Sequence, residues 1–185
     1  MVGAISSNGI EEAELNLKIA LKLQNLLEQS GSIVLLTRSD DTSIYEMDSK
    51  TLSQKKVSDI KNRVKLGNQS EADLFISIHM NKIPQSKYYG WQTFYNVKSK
   101  KSKLLAECIQ FSLNNTIDKK NNRLAKSISN VYIVDHIEIP LSLVECGFMS
   151  NPEELSMLIK DEYQDKIAYG IYLGIMEYFK SSSWF

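Results

Sequence analysis

Two polar side chains stand where long apolar runs end. His79 follows Leu74–Ile78 (LFISI), and Glu145 sits near the end of Leu141–Cys146 (LSLVEC). A carboxylate on so apolar a strand costs several kcal/mol unless it is paired or meets a metal. A Lys or Arg partner would make Glu145 structural, and a reacting proton would make it an acid/base group. His79 has the same two readings, as a hydrogen-bonded strand end or as a metal ligand. Glu12 opens a helix, where a carboxylate favours the positive end of the dipole. Cys146 and His136 allow a third chemistry, thiol hydrolysis. Alternation along a strand sends Cys146 to the face opposite Glu145, so one site cannot use both. Cys146 then reads as a small buried hydrophobe, and His136 as a surface-loop residue.

The elements that must position these groups follow from apolar spacing. Leu15, Ile19, Leu23 and Leu26 recur at helical intervals within Glu12–Gln29, and Gly31 is placed to cap that helix. Ser32–Thr37 reads as a short buried strand and Ser39–Leu52 as a surface loop. A second helix runs through Val57, Ile60, Val64 and Leu66, followed by the LFISI strand, apolar on both faces. Trp91–Tyr95 is expected as a strand. Leu104, Cys108 and Phe111 mark a third helix. Val131–Val134 and Leu141–Cys146 read as strands, and the carboxyl end is helical from Pro152 through Tyr178. Strands alternating with helices predict an α/β fold, a mostly parallel central sheet with helices on both faces. Ligands of such sheets bind beyond the carboxyl ends of the strands, where His79 and Glu145 lie.

The 185 residues make one domain, 1–185, without repeats or linkers. Its 22 basic and 22 acidic side chains cancel, which removes the electrostatic reason to expect nucleic acid or an anionic membrane as partner. The Lys98–Lys103 cluster is read as a solvated helix start. Two cysteines, Cys108 and Cys146, make neither a disulfide scaffold nor a metal-spaced pair. No apolar run is long enough to span a membrane, and no signal peptide is visible.

Together, the motifs carry more than their members. Glu12 with Leu17, Ile19 and Ala20, then Leu36-Thr37-Arg38, Arg63 and Asn68, Ser77-Ile78-His79-Met80-Asn81, and Leu143-Val144-Glu145-Cys146-Gly147-Phe148-Met149-Ser150-Asn151-Pro152 with Glu154 occur in this order. The series resembles the zinc-dependent N-acetylmuramoyl-L-alanine amidases that hydrolyse peptidoglycan, from about Gly3 to Tyr178. The segments around Gln92–Tyr95 and Ile139–Pro140 are most similar to the germination-specific, spore-cortex members. The resemblance implies Zn2+ as cofactor, Glu12 and His79 as metal ligands and Glu145 as catalytic acid/base. Asn81 and Arg38 match as well, with Arg38 expected to tie loop to sheet. It also implies a muramyl-peptide substrate, an activating protein as a possible partner, and work outside the cytoplasm through an export segment absent from this chain. The family carries a strand ending Asp-Pro-Gly-His-Gly-Gly, with the first zinc ligand, just ahead of the match to Gly3-Ala4. The expectation is therefore a catalytic domain lacking its first strand and one ligand, poorly active as it stands. The alternative is a metal-deficient relative that binds peptidoglycan or a partner.

Overall fold

A computed structural model describes residues 4–6, 8–40, 44 and 51–182. The first helix, α1 (Glu12–Gln29), buries Ala13, Leu15, Ile19 and Leu23. It ends as its sequence requires: Gly31 adopts φ 89° and donates to the Glu28 carbonyl at 3.0 Å. Helix α2 (Leu52–Gln69) starts on a reciprocal capping box between Thr51 and Gln54. Most of the expected 39–52 loop lies outside the described residues.

Strand β1 (Phe75–Asn81) leads through a long connection to β2 (Gln92–Tyr95). Helix α3 (Lys100–Thr116), the two-residue β3 (Lys126–Ser127) and the single-turn α4 (Tyr132–His136) follow. Strand β4 (Leu141–Phe148), α5 (Pro152–Leu158) and α6 (Asp161–Ser182) complete the chain. The sheet order is β1-β4-β2-β3. β1 pairs parallel with β4, β2 antiparallel with β4, and β2 parallel with β3. Among the described residues no helix is long and apolar enough to cross a membrane.

Alternation along β4 sorts the core. Val144 and Cys146 face the large cluster with Leu15 and Ile19 of α1, Leu105 and Ile109 of α3, and Ile167 and Ile171 of α6. Leu141 and Leu143 face a smaller cluster with Val64 of α2 and Ile133, Val134 and Ile137 around α4. Helices thus cover both faces, as the pattern predicts.

Four sequence expectations need correcting. Val131–Val134 is not a strand: its β-branched run forms the start of α4, because Ile133 and Val134 pack against Val64 while Tyr132 stacks on His136 one turn on, with ring centroids 3.9 Å apart. Ser32–Thr37 has no ladder partner among the described residues, and Ile33 is 94% exposed. The buried stripe of α3 is Leu105, Ile109 and Leu113, while Phe111 is 68% exposed. The carboxyl-terminal helix is two helices, broken at Ile159 and Lys160.

Candidate active site

The strand bearing His79 does not stop before it. β1 continues to Asn81 and places His79 directly opposite Glu145 in the parallel register. Glu145 is in turn opposite Gln92 across the antiparallel β4–β2 pair. Residues in register point to one face. His79, Glu145 and Gln92 therefore form a row across three strands, on the face of Leu143 and beyond the small apolar cluster. Cys146 faces the other way, fully buried, and burial pushes its thiol far above the usual range. His136 Nδ1 donates to the Tyr132 carbonyl of its own short helix at 2.8 Å and joins no site. The thiol chemistry is absent.

Glu12 reaches the row from α1 along the free edge of β1. Its Oε1 accepts from the Met80 amide at 3.3 Å and stands 3.1 Å from His79 Nδ1. A turn ahead of the helix fixes the carboxylate from the other side. Ser6 and Ile10 exchange hydrogen bonds across Gly9, at φ 79°, and the Ala4 amide donates to Glu12 Oε2 at 2.8 Å. Burial raises the Glu12 pKa, but the hydrogen bonds from His79, Ala4 and Asn16 and the His79 charge outweigh it and bring it down to about 2. Glu12 is thus a firmly ionised donor, 13% exposed.

Glu145 is the opposite case. Burial pushes its pKa to about 7; the His79 charge opposes the rise and the Glu12 charge adds to it. Its Oε2 is buried with no hydrogen-bond partner. A buried carboxylate oxygen without a partner is costly and is expected where a substrate or proton completes it. No Lys or Arg pairs with Glu145 among the described residues, so the structural reading of this carboxylate loses its support.

A metal fits the Glu12–His79 pair. Two ligand atoms roughly 2.0–2.1 Å from a tetrahedral ion lie roughly 3.3 Å apart, close to the 3.1 Å observed. Ser77 Oγ, 3.0 Å from His79 Nε2, can hold the ring with Nδ1 directed at Glu12. Among the described residues no third His, Cys, Asp or Glu joins them in a metal-holding group.

The remaining motif residues build the frame. Arg38 ties the segment after α1 back to that helix by donating to the Ala13 carbonyl. Arg63 pairs with Asp59 at 2.6 Å and donates to Thr37 Oγ1. Asn68 bridges α2 to α4 through the His136 carbonyl and the Glu138 amide. Asn81 accepts from the Met149 amide at 2.8 Å, locking the ends of β1 and β4. Sequence reasoning assigned no role to Ser77, Gln92 or Glu154. The signal for Ser77 is its i−2 position on the strand of His79. Glu154 is fully buried and accepts from the Phe148 and Gly90 amides at 2.7 and 2.8 Å. A Cβ on Gly147 would come within 3.1 Å of its carboxyl carbon, which explains the glycine in that motif.

This α/β scaffold sets an acidic and a basic side chain, paired with each other, beside an unpartnered carboxylate at the carboxyl ends of its parallel strands. The profile of the N-acetylmuramoyl-L-alanine amidase family matches residues 2–177, and the chain belongs to that family. It is 39% identical, over 96% of its length and 74% of the relative's, to the germination-specific N-acetylmuramoyl-L-alanine amidase of Bacillus subtilis. The LytC amidase of the same organism is 32% identical, with the match covering 96% of this chain and 33% of LytC. Among solved structures, the CwlD amidase of Clostridioides difficile, in complex with the GerS lipoprotein, superposes with a TM-score of 0.94 at 44% identity, covering 97% of this chain and 92% of that one.

Proposed function

We propose that this chain hydrolyses the amide joining the lactyl group of N-acetylmuramic acid to L-alanine in peptidoglycan, outside the cytoplasm, in spore-cortex maturation or germination. The observation that carries the reading is Glu145: a half-buried carboxyl with an empty oxygen, poised near neutral pH, in register with His79. Glu12 and His79 would hold Zn2+, which when bound acts as a Lewis acid on the scissile carbonyl and acidifies a water. Glu145 accepts the proton of the attacking water at Oε2 and delivers it to the departing alanine nitrogen. Ser77 keeps the imidazole in one orientation while this happens. The germination-specific B. subtilis relative supports the germination setting, and the lipoprotein in complex with CwlD supports a protein partner here.

The two-donor set favours a second reading, a relative that binds peptidoglycan without cleaving it. Incubating the zinc-supplemented protein with purified peptidoglycan and quantifying new alanine amino termini separates the two. Zinc-dependent release is expected. Binding to the wall without release, at stoichiometric zinc, would remove the hydrolase reading.

A further inference from the structure

The row of His79, Glu145 and Gln92 does not end at Gln92. Arg123 Nη1 donates to Gln92 Oε1 at 3.3 Å, and its Nε donates to the Tyr89 carbonyl at 3.4 Å. The guanidinium lies over the Phe148 ring, 5.1 Å from its centroid. Its Nη2 has no hydrogen-bond partner among the described residues. Topology explains why Arg123 is here. The 82–91 connection leaves the carboxyl end of β1 and enters the amino end of β2, so it runs past the site. β3 is parallel to β2, which brings the 117–125 segment to the same end of the sheet.

Between these two connections lies an open groove of about 470 Å³, lined by Lys87, Tyr88, Tyr89, Lys120, Asn122 and Arg123. Its charged lining is entirely basic. Neither Lys87 nor Lys120 is ion-paired among the described residues. Tyr88 and Tyr89 are 40% and 42% exposed, with Lys87 Nζ 5.3 Å from the Tyr88 ring centroid and Lys119 Nζ 4.7 Å from that of Tyr89. Beneath the groove, buried Glu154 holds the Gly90 and Phe148 amides, so the walls are anchored to the strand that carries Glu145.

We infer that this groove binds a free carboxylate of the peptide portion of the substrate. The inference rests on the amidase reading. In a muramoyl peptide the lactyl carboxyl is consumed in the scissile amide, while the peptide beyond it carries free carboxylates, its own terminus at least. A guanidinium held in place by Gln92 and Tyr89, with Nη2 left to donate, and flanked by two lysines is complementary to that group and to nothing on an uncharged sugar. The line of residues then sets the direction of the substrate. The scissile amide lies over His79 and Glu145, and the departing peptide extends across Gln92 toward Arg123.

The test uses matched muramoyl peptides, one with free carboxylates and one with those groups as carboxamides. For the unaltered chain, KM for the carboxamide substrate is expected to be roughly tenfold higher, the worth of one charge-assisted hydrogen bond. Arg123→Ala should bring the ratio of the two KM values toward one. The Lys87→Ala/Lys120→Ala pair, confined to exposed side chains, should shrink it in the same direction should the arginine variant fold poorly. A ratio unchanged in both variants, or absent from the unaltered chain, overturns the proposal. Titrating the Glu145→Gln variant with the same two peptides reads binding alone. Cleavage of neither substrate by the unaltered chain would end the amidase reading, and the difference in binding to the Glu145→Gln variant would still decide the groove.

Discussion

Glu12 and Glu145 share an environment and are driven to opposite charge states, which is what an ionised ligand beside a proton carrier requires. Glu145→Gln keeps shape and removes the proton, so amidase turnover should fall by roughly 10²–10⁴ while zinc content is unchanged. Near-normal peptide release by that variant would end the assigned role. The same two groups contribute to the pH dependence of stability in the metal-free chain, beside buried Glu154, whose pKa burial also raises. Glu145 has a folded pKa of about 7 against an ordinary 4.5, so its contribution is complete below 4.5 and is lost as pH rises to about 7. Glu12, at about 2, contributes above 4.5 and loses that contribution as pH falls toward 2. Thermal stability should therefore decline between pH 4.5 and 7, by roughly 1–2 kcal/mol once solvent at a half-buried carboxylate is allowed for. Glu145→Gln should flatten that decline and leave the acid limb intact. Melting curves of both proteins across the range decide it, and parallel slopes would count against the Glu145 environment. Glu12, His79 and Glu145 were legible as candidates because each stood in an unexpected place or in a motif. Arg123 and Gln92 were not, since a surface arginine and a strand-end glutamine carry no signal until topology brings them together.

The elements show which sequence signals survive tertiary packing. Helical spacing of apolar residues located α1 and α2, and continuous apolar runs located β1 and β4, the latter buried on both faces. The same signals failed at Val131–Val134, where local β propensity yields to a single turn packed on α2, and at Ser32–Thr37, where an apolar run alone cannot make a ladder. The α3–α6 contact was also hidden, since it depends on what is missing from two positions. A Cβ at Gly174 would lie 2.4 Å from Ile109 Cα and 2.8 Å from its amide nitrogen, and one at Gly170 would lie 3.2 Å from Leu113 Cα. These are backbone atoms, so the helices themselves would have to separate. Gly174→Ala should cost about 1–3 kcal/mol through overpacking, opposed by at most about 1 kcal/mol of helix propensity. The net loss should lower Tm by several degrees, with Gly170→Ala the milder of the two. A Gly174→Ala protein as stable as the unaltered one would mean that α6 does not sit this close to α3.

At the scale of the whole molecule, the site ties the segment ahead of α1 and the start of that helix to β1. Glu12 lies between Ala4, the start of α1 and the edge of β1, while Lys82 Nζ, just past the carboxyl end of that strand, donates to the Ile5 carbonyl at 2.5 Å. An ion held by Glu12 and His79 would fasten α1 to the sheet, so metal binding and folding should be coupled. Zinc at about a hundred times its dissociation constant stabilises a folded chain by about 2.7 kcal/mol, roughly 5–10 °C in Tm for a domain of this size. That shift should appear on adding zinc to the metal-free protein and should be reversed by a chelator. Hydrogen exchange should slow at Ala4 and Met80, whose amides meet at the carboxylate, and at Glu12, whose amide donates to the Ala4 carbonyl. His79→Ala removes the nitrogen donor and should abolish both effects, while Glu145→Gln should retain them. An equal zinc shift in His79→Ala would place the ion elsewhere on the molecule, and the Glu12–His79 pair would then be an ordinary charged contact.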